Sequence, residues 1–192
     1  MYNFNALVSR IKYIPRWSLM RQSRQEYLAE HTTEVMQIAH TLAAVAKEKF
    51  GADVDEKNIV LCGLYHDISE ILTGDMPTPV KYYNPIIRDA YKVVEGIAAD
   101  ELLKGMPKEM REVYYTILHE DKAEEEMWHF VKAADKISAY IKCVEEQRMG
   151  NCDFEKAGNS ILEIINELNM PEVDYFMKNF MPAYLLTLDE SR

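Results

Sequence analysis

Cysteine and positive charge are both in short supply in this sequence, and each shortage removes a class of protein. The three cysteines, Cys62, Cys143 and Cys152, are odd in number and form no Cys-x-x-Cys. That excludes a disulfide framework and a thiolate zinc site, so they are expected to pack as small apolar residues. Lysine and arginine number 22 against 32 acidic residues, a net charge of −10. Such a balance opposes a nucleic-acid polymer as partner, because a phosphate chain needs a broad basic surface, but leaves room for a small anion held by one or two cations. No apolar run reaches the length of a membrane span, and the N-terminus MYNFNALVSRIKYIP has neither the apolar stretch nor the cleavage site of a signal peptide. A cytoplasmic protein with no membrane partner is expected. Alternating strand patterns, internal repeats and low-complexity segments are missing too. The 192 residues, 48% hydrophobic and 28% charged, suffice for one domain over 1–192 with a substantial core.

What is present is helical periodicity. Residues 3–14 place Phe4, Leu7, Val8 and Ile11 at i, i+3, i+4, i+7, a short helix that must end before Pro15. Arg16 and Trp17 follow, and 18–23 have no period and read as a loop. From about Leu28 to Glu48, Val35, Ile38, Leu42 and Val45 form one stripe, closed by Gly51. One turn earlier the stripe reaches His31, which should face the core; His40 falls off it, at the boundary. Residues 85–103 carry Ile86, Ala90, Val93, Val94, Ile97 and Leu102, and 107–119 carry Met110, Val113, Tyr114 and Ile117, giving two helices separated by Gly105 and Pro107. The acidic run Glu120 to Glu126 reads as a solvated loop and first turn. A long helix then runs to Arg148 with Met127, Val131, Ala134, Ser138 and Ile141 on one face and Asp135 beside it, and 153–168 and 172–181 supply two more. The class is all-α, a compact bundle with short connections.

The chain is organised around LCGLYHDISEILTGDMPTPVKY, residues 61–82. Asp55 is expected to cap a helix that continues to about Thr73, where Gly74, Pro77 and Pro79 stop it. Residues 59–72 are apolar on every side, so that helix should be buried all round. A His and an Asp inside it need partners, because an unpaired carboxylate there costs several kcal/mol. His31, His66-Asp67 and Asp135 together put two imidazoles and two carboxylates on three helices. Nitrogen and oxygen donors of this kind suit Co²⁺, Mn²⁺, Zn²⁺ or Fe²⁺. Neighbours on a helix point about 100° apart, so His66 and Asp67 can share an ion only at a helix junction. Any one of the four reads more simply as a core or solvated residue; the set of four does not.

Around these residues the sequence resembles the HD-domain metal-dependent phosphohydrolases and, more narrowly, the bacterial 5′-deoxynucleotidases of the YfbR type. The resemblance rests on RW at 16–17, the Glu30-His31 segment, YHDISEILTGDMPTPVKYYN at 65–84, KAADKISAYIKCVEE at 132–146 and DYFM at 174–177. It implies an HD-domain helical bundle, a homodimer, and hydrolysis of deoxyribonucleoside 5′-monophosphates. It also implies one divalent ion, with Co²⁺ favoured, held by His31, His66, Asp67 and Asp135. Arg16 matches the family's phosphate-orienting arginine, Trp17 its neighbouring tryptophan, and Asp75-Met76-Pro77-Thr78 its substrate loop, with Met76 replacing another apolar residue. Glu70 matches a glutamate important to activity. Glu70, Arg16 and Asp67 are therefore the expected catalytic residues, and Arg16, Trp17, His31, Asp67 and residues 75–78 the expected substrate contacts.

The chemistry of each residue fits, with alternatives. A divalent ion polarises a phosphoryl oxygen and acidifies water, so no protein nucleophile is required. Glu70, four residues after His66, either moves a proton for that water or holds a ligand histidine by its second nitrogen. Arg16 has the planar fork that takes phosphate in two hydrogen bonds. Trp17 covers a sugar or base, or is plain core, and Asp75 contacts a sugar or only shapes a turn. Two rivals have distinct requirements. A two-metal HD phosphodiesterase needs extra histidines; His119 and His129 lie in the right interval, but His129 is roughly 600° of helical rotation from Asp135. A non-catalytic nucleotide sensor needs no proton-moving carboxylate beside its arginine.

Overall fold

The two clearest apolar stripes in the sequence become two long helices lying against one another. In the computed structural model, which describes residues 1–81, 83–119 and 125–192, α2 spans Leu28–Phe50 and α8 spans Glu125–Arg148. Val35, Ile38 and Leu42 of α2 and Val131, Ala134 and Ile137 of α8 are all but fully buried in one cluster. Around this pair stand α1 (Phe4–Val8), α3 (Glu56–Tyr65), α4 (Glu70–Thr73), α5 (Thr78–Lys81), α6 (Pro85–Lys104), α7 (Lys108–Leu118), α9 (Glu155–Glu167) and α10 (Pro171–Asn179). Short 3-10 turns at Ser9–Tyr13, Cys152–Phe154 and Met181–Leu185 complete the described secondary structure. No strand occurs among the described residues; one isolated bridge pairs Pro15 with Tyr27. The all-α expectation holds, and no described helix is long and apolar enough to cross a membrane.

Helix α3 packs on both α2 and α8, while α9 lies against α8 and α10 against α2. A second, smaller cluster joins Phe4, Ile68, Ala99, Leu102, Leu103, Met106 and Leu118, so α1, α6 and α7 form a separate flank. Gly105 makes that flank possible. Its carbonyl accepts from the Asn3 and Phe4 amides at 3.1 and 3.3 Å, and a Cβ there would meet the Asn3 side chain and come within 2.9 Å of the Phe4 nitrogen.

Several expectations are corrected. The central helix does not run unbroken to Thr73: α3 stops at Tyr65, and 66–69 form tight turns held by bonds from Ile68 to Tyr65 and from Glu70 to Asp67, each 3.0 Å. Nor is it buried on every side, since Leu61 and Leu72 are exposed. Residues 78–81, expected as loop, form one helical turn after Gly74, whose φ of 75° lies where a side chain would strain the backbone. On α6 the stripe read as core is mostly outside: Ile86 is 80% exposed, Val93 63% and Ile97 57%, while Tyr91, Ala98, Ala99 and Leu102 are buried. Met110 and Val113 of α7 likewise face outward. His40 is exposed rather than at a boundary. Cys62 and Cys143 are buried as expected, but Cys152 is exposed. The expected acidic loop at 120–124 lies outside the described residues, whereas Glu125 and Glu126 begin α8.

Candidate metal centre

The break after Tyr65 decides the geometry. His66 itself keeps α-helical dihedrals, φ −56° and ψ −39°, but the bonding beyond it tightens to i→i−3, and at this junction two adjacent side chains face one point. His66 Nδ1 lies 2.8 Å from the Gly63 carbonyl, to which it donates, so its Nε2 is presented bare toward Asp67 Oδ2 at 3.0 Å. From α2, His31 enters with Nε2 3.7 Å from the same Asp67 oxygen and 3.2 Å from Asp135 Oδ1 on α8. The donor atoms of His31, His66 and Asp67 all lie within 4.8 Å of one another. Asp135 stands outside that mutual group and reaches it through His31, its second oxygen held by Lys136 at 2.8 Å.

Both imidazole Nε2 atoms are buried with no hydrogen-bond partner among the described residues. The close approaches to carboxylate oxygens are thus in range but not aligned as hydrogen bonds. Two orphaned nitrogens between two carboxylates fit a divalent cation of the nitrogen- and oxygen-liking kind. The charges agree. Burial, assisted by Arg16, pushes the His31 imidazole below its ordinary range, toward the neutral form a ligand needs. Burial also opposes charge on His66, but Asp67 outweighs it and raises that imidazole. For Asp67, burial is outweighed by His66 and His31, and for Asp135 by Lys136 and His31, so both carboxyls are held below the usual range.

Beside this cluster sits Arg16, 9% exposed, with its NH1 3.5 Å from Asp67 Oδ2 and its Nε 3.1 Å from Glu26 Oε2. The same Glu26 oxygen accepts from Trp17 Nε1 at 2.7 Å. Trp17 has a φ of 59°, a left-handed conformation that costs on the order of 1–3 kcal/mol in a non-glycine residue. It is pinned there by its amide, which donates to Asp75 Oδ2 at 3.2 Å, and by its ring, 5.2 Å from that of Phe154. Trp17 is therefore neither plain core nor free to swing. Glu70 is 6% exposed, its Oε2 has no partner among the described residues, and burial, with Asp67 and Asp75 near, pushes its carboxyl well up. Asp75 is raised by burial against the pull of Arg16. Met76 and Pro77 are half-buried beside it, and Thr78 is exposed at the start of α5. His119, 3.2 Å from Asp100, and the exposed His129 stay outside the donor group.

A loop with no readable period carries Arg16 and Trp17, and a buried ion pair fastens it. Glu146 on α8, 1% exposed, accepts from the Ser23 amide at 2.7 Å, from Asn151 at 2.7 Å and from Lys142 at 2.5 Å. Burial opposes its ionisation, yet those donors hold its carboxyl down at about 2. Lys142 also donates to the Arg24 carbonyl at 2.7 Å. Sequence reasoning missed Glu26, Lys142 and Glu146. For the last two a signal existed, an i,i+4 charge pair on the apolar face of a core helix.

The sequence model of the family described as 5′-deoxynucleotidase YfbR-like matches residues 3–184. A 5′-deoxynucleotidase of Vibrio atlanticus is 43% identical over 188 residues, covering 98% of this chain and 97% of that protein. The 5′-deoxynucleotidase YfbR of Escherichia coli is 43% identical, with 98% and 94% covered. Among solved structures, an HD-domain phosphohydrolase from Listeria innocua superposes with a TM-score of 0.84 at 26% identity, over 97% of this chain and 90% of that one. A cyanophage S-2L HD phosphohydrolase, solved with dA and one catalytic Zn²⁺ ion, shares the fold with a TM-score of 0.67 at 21% identity, over 95% and 96% of the two chains.

Proposed function

The chain belongs to the YfbR-like 5′-deoxynucleotidase family, and from that premise we propose how its centre works. The protein is a metal-dependent phosphomonoesterase of the HD-domain class that hydrolyses deoxyribonucleoside 5′-monophosphates to deoxynucleoside and phosphate. The observation that carries the site assignment is the pair of buried, partnerless imidazole nitrogens facing Asp67 and Asp135. His31, His66, Asp67 and Asp135 would hold one divalent cation. That ion would supply the Lewis acidity that polarises a phosphoryl oxygen and acidifies water. The donor set suits Co²⁺, Mn²⁺ or Zn²⁺; the family resemblance favours Co²⁺, while the phage relative carries Zn²⁺.

This chain's own groups do the rest. Glu26 takes the Nε edge of Arg16, which leaves the other edge of the guanidinium over the cluster to receive the phosphate. Glu70 moves the proton, taking it from attacking water and returning it to the leaving 5′-oxygen. Its raised, buried carboxyl suits that work. This role is supported over holding a ligand histidine by the contacts of the second nitrogens, that of His31 with Ser138 and that of His66 with the Gly63 carbonyl. Trp17 and Asp75, locked to each other, form with Met76, Pro77 and Thr78 the wall for sugar and base. Such a small anion needs no wide basic surface, in keeping with the net charge of −10.

The working form is a cytoplasmic homodimer, as the family resemblance implies. The exposed stripe Ile86, Val93 and Ile97 on one face of α6 supports association, because scattered single apolar residues are ordinary on a monomer but a contiguous stripe is not. Phosphate release from paired deoxyribo- and ribonucleoside monophosphates, with protein loaded in turn with Co²⁺, Mn²⁺ and Zn²⁺, tests the reaction. dAMP and dTMP should be cleaved in preference to AMP and UMP; no release from any substrate overturns it. Glu70→Gln should lower kcat about 10²–10⁴-fold with metal content unchanged. Loss of the metal from that variant would make Glu70 a ligand instead.

A further inference from the structure

Asp135 and Ser138, one turn apart on α8, meet opposite ends of the His31 ring. Asp135 Oδ1 is 3.2 Å from Nε2, and Ser138 Oγ is 3.0 Å from Nδ1. Behind the serine, Glu34 Oε2 lies 2.6 Å from the Ser138 oxygen and accepts its hydroxyl proton. Glu34 sits three residues after His31 on α2, so the chain runs from α2 to α8 and back within one turn of each helix. Ser138 and His31 are almost wholly buried, at 0% and 1% exposure.

A serine hydroxyl has one proton. A carboxylate can only accept, so with Glu34 ionised that proton points at Glu34 and the serine offers His31 only lone pairs. His31 Nδ1 must then carry the ring's proton, and Nε2, the atom facing Asp67 and Asp135, must be bare. Without the carboxylate the hydroxyl can turn and donate to Nδ1. The ring proton would then move to Nε2, where it blocks coordination. A buried serine alone does not choose between the two tautomers; the glutamate behind it does.

We propose that Glu34, acting through Ser138, is a positioning residue that holds His31 in its Nδ1-protonated tautomer and so keeps Nε2 open for the divalent cation. The proposal rests on the reading of His31 as a ligand. Glu34 touches neither substrate nor ion. Its outer edge borders a small polar cavity of about 110 Å³ lined also by Arg24, Glu26, Glu30, Lys142 and Glu145.

Two variants and two readouts test it. In Glu34→Gln the shape is kept, but the amide can donate as well as accept; in Ser138→Ala the link is removed and the side chain becomes smaller. Mn²⁺, Co²⁺ and Zn²⁺ affinities, measured by chelator competition, should fall about 10–100-fold in both variants. Ring ¹⁵N shifts of His31 in the metal-free protein, read above about pH 8 where Glu34 is ionised, should report Nδ1–H in the parent and a mixture or Nε2–H in the variants. A merely structural role would lower the melting temperature of the metal-free protein without moving the ring shifts. Ser138→Thr, which keeps the hydroxyl, should restore the parental tautomer if its methyl is accommodated, as the melting temperature will register. Parental affinities and an unchanged tautomer in both Glu34→Gln and Ser138→Ala would overturn the proposal. A parent that binds no divalent ion at all would instead overturn the assignment of His31 as a ligand.

Discussion

The flank built from α2, α3 and α8 and the flank built from α6 and α7 use the same apolar vocabulary in opposite ways. In the first, Val35, Ile38, Leu42, Val131 and Ile137 are at most 2% exposed, and the polar groups among them are tied down one by one: His31 by Ser138, Glu146 by Lys142 and Asn151. In the second, the strongest stripe, Ile86, Val93 and Ile97, looks outward, and the helix is seated by the smaller residues Ala98 and Ala99 with Leu102. The candidate centre lies on the first side of that divide. A cluster of imidazoles and carboxylates in a poorly screened interior needs rigid surroundings to hold its donors together, and a densely packed helix pair provides them. The second flank can leave its apolar face for another surface to cover.

The sharpest way to break the contrast is to put the same charge on each side. Val35→Asp, which buries a carboxylate with no partner, should prevent folding or cost several kcal/mol. Ile97→Asp should leave the helical circular dichroism and melting temperature nearly intact but shift the protein to monomer in sedimentation velocity. A folded Val35→Asp, or an Ile97→Asp that unfolds, would mean the two flanks have been misjudged. Smaller in stability but complete in activity is the effect expected of His66→Ala or Asp135→Ala. Each should abolish phosphate release and also remove the stabilisation by metal, which for a site held at a hundredfold excess over Kd is about 2.7 kcal/mol in the parent. Melting curves with and without chelator, superimposable in the variants and separated in the parent, would bear this out; a chelator-sensitive Asp135→Ala would take Asp135 out of the ligand set.

That contrast also sets how far the sequence can be read. On α2 and α8 the apolar stripe is the core stripe, so His31 and Ser138 could be placed facing inward from spacing alone. On α6 the same reasoning chose the outward face, because periodicity reports that a stripe will be covered and not by what. The turn at 66–69 was illegible for another reason: helix propensity is similar across YHDISE, and the departure is fixed by i→i−3 bonds and by the His66–Gly63 contact, which only the folded chain makes. Glu26 and Trp17 depend on a loop whose shape comes from distant partners, Glu146 for the loop and Asp75 for the Trp17 amide. Glu34 could have been suspected, since it sits one turn from His31 on a face otherwise committed to the core.

The smallest effect separates the polar from the apolar content of the α2–α8 interface. Burial, with Glu26 and Glu145 near and against the Ser138 hydrogen bond and Arg16, pushes the Glu34 carboxyl up to about 7 from an ordinary 4.5. Below pH 4.5 folded and unfolded chains both hold that proton, so the group makes no difference. Between about 4.5 and 7 the folded chain keeps a proton that the unfolded chain has lost, so each rise in pH favours unfolding. Stability should therefore fall as pH rises through this window and level off above it, by at most about 3 kcal/mol. In Glu34→Gln that component of the slope vanishes, so urea unfolding of the metal-free proteins at pH 5 and pH 7.5 should differ less in the variant than in the parent. Equal slopes would mean that Glu34 is ionised at little cost throughout, and that the α2–α8 interface accommodates its charge as easily as it does that of Glu146.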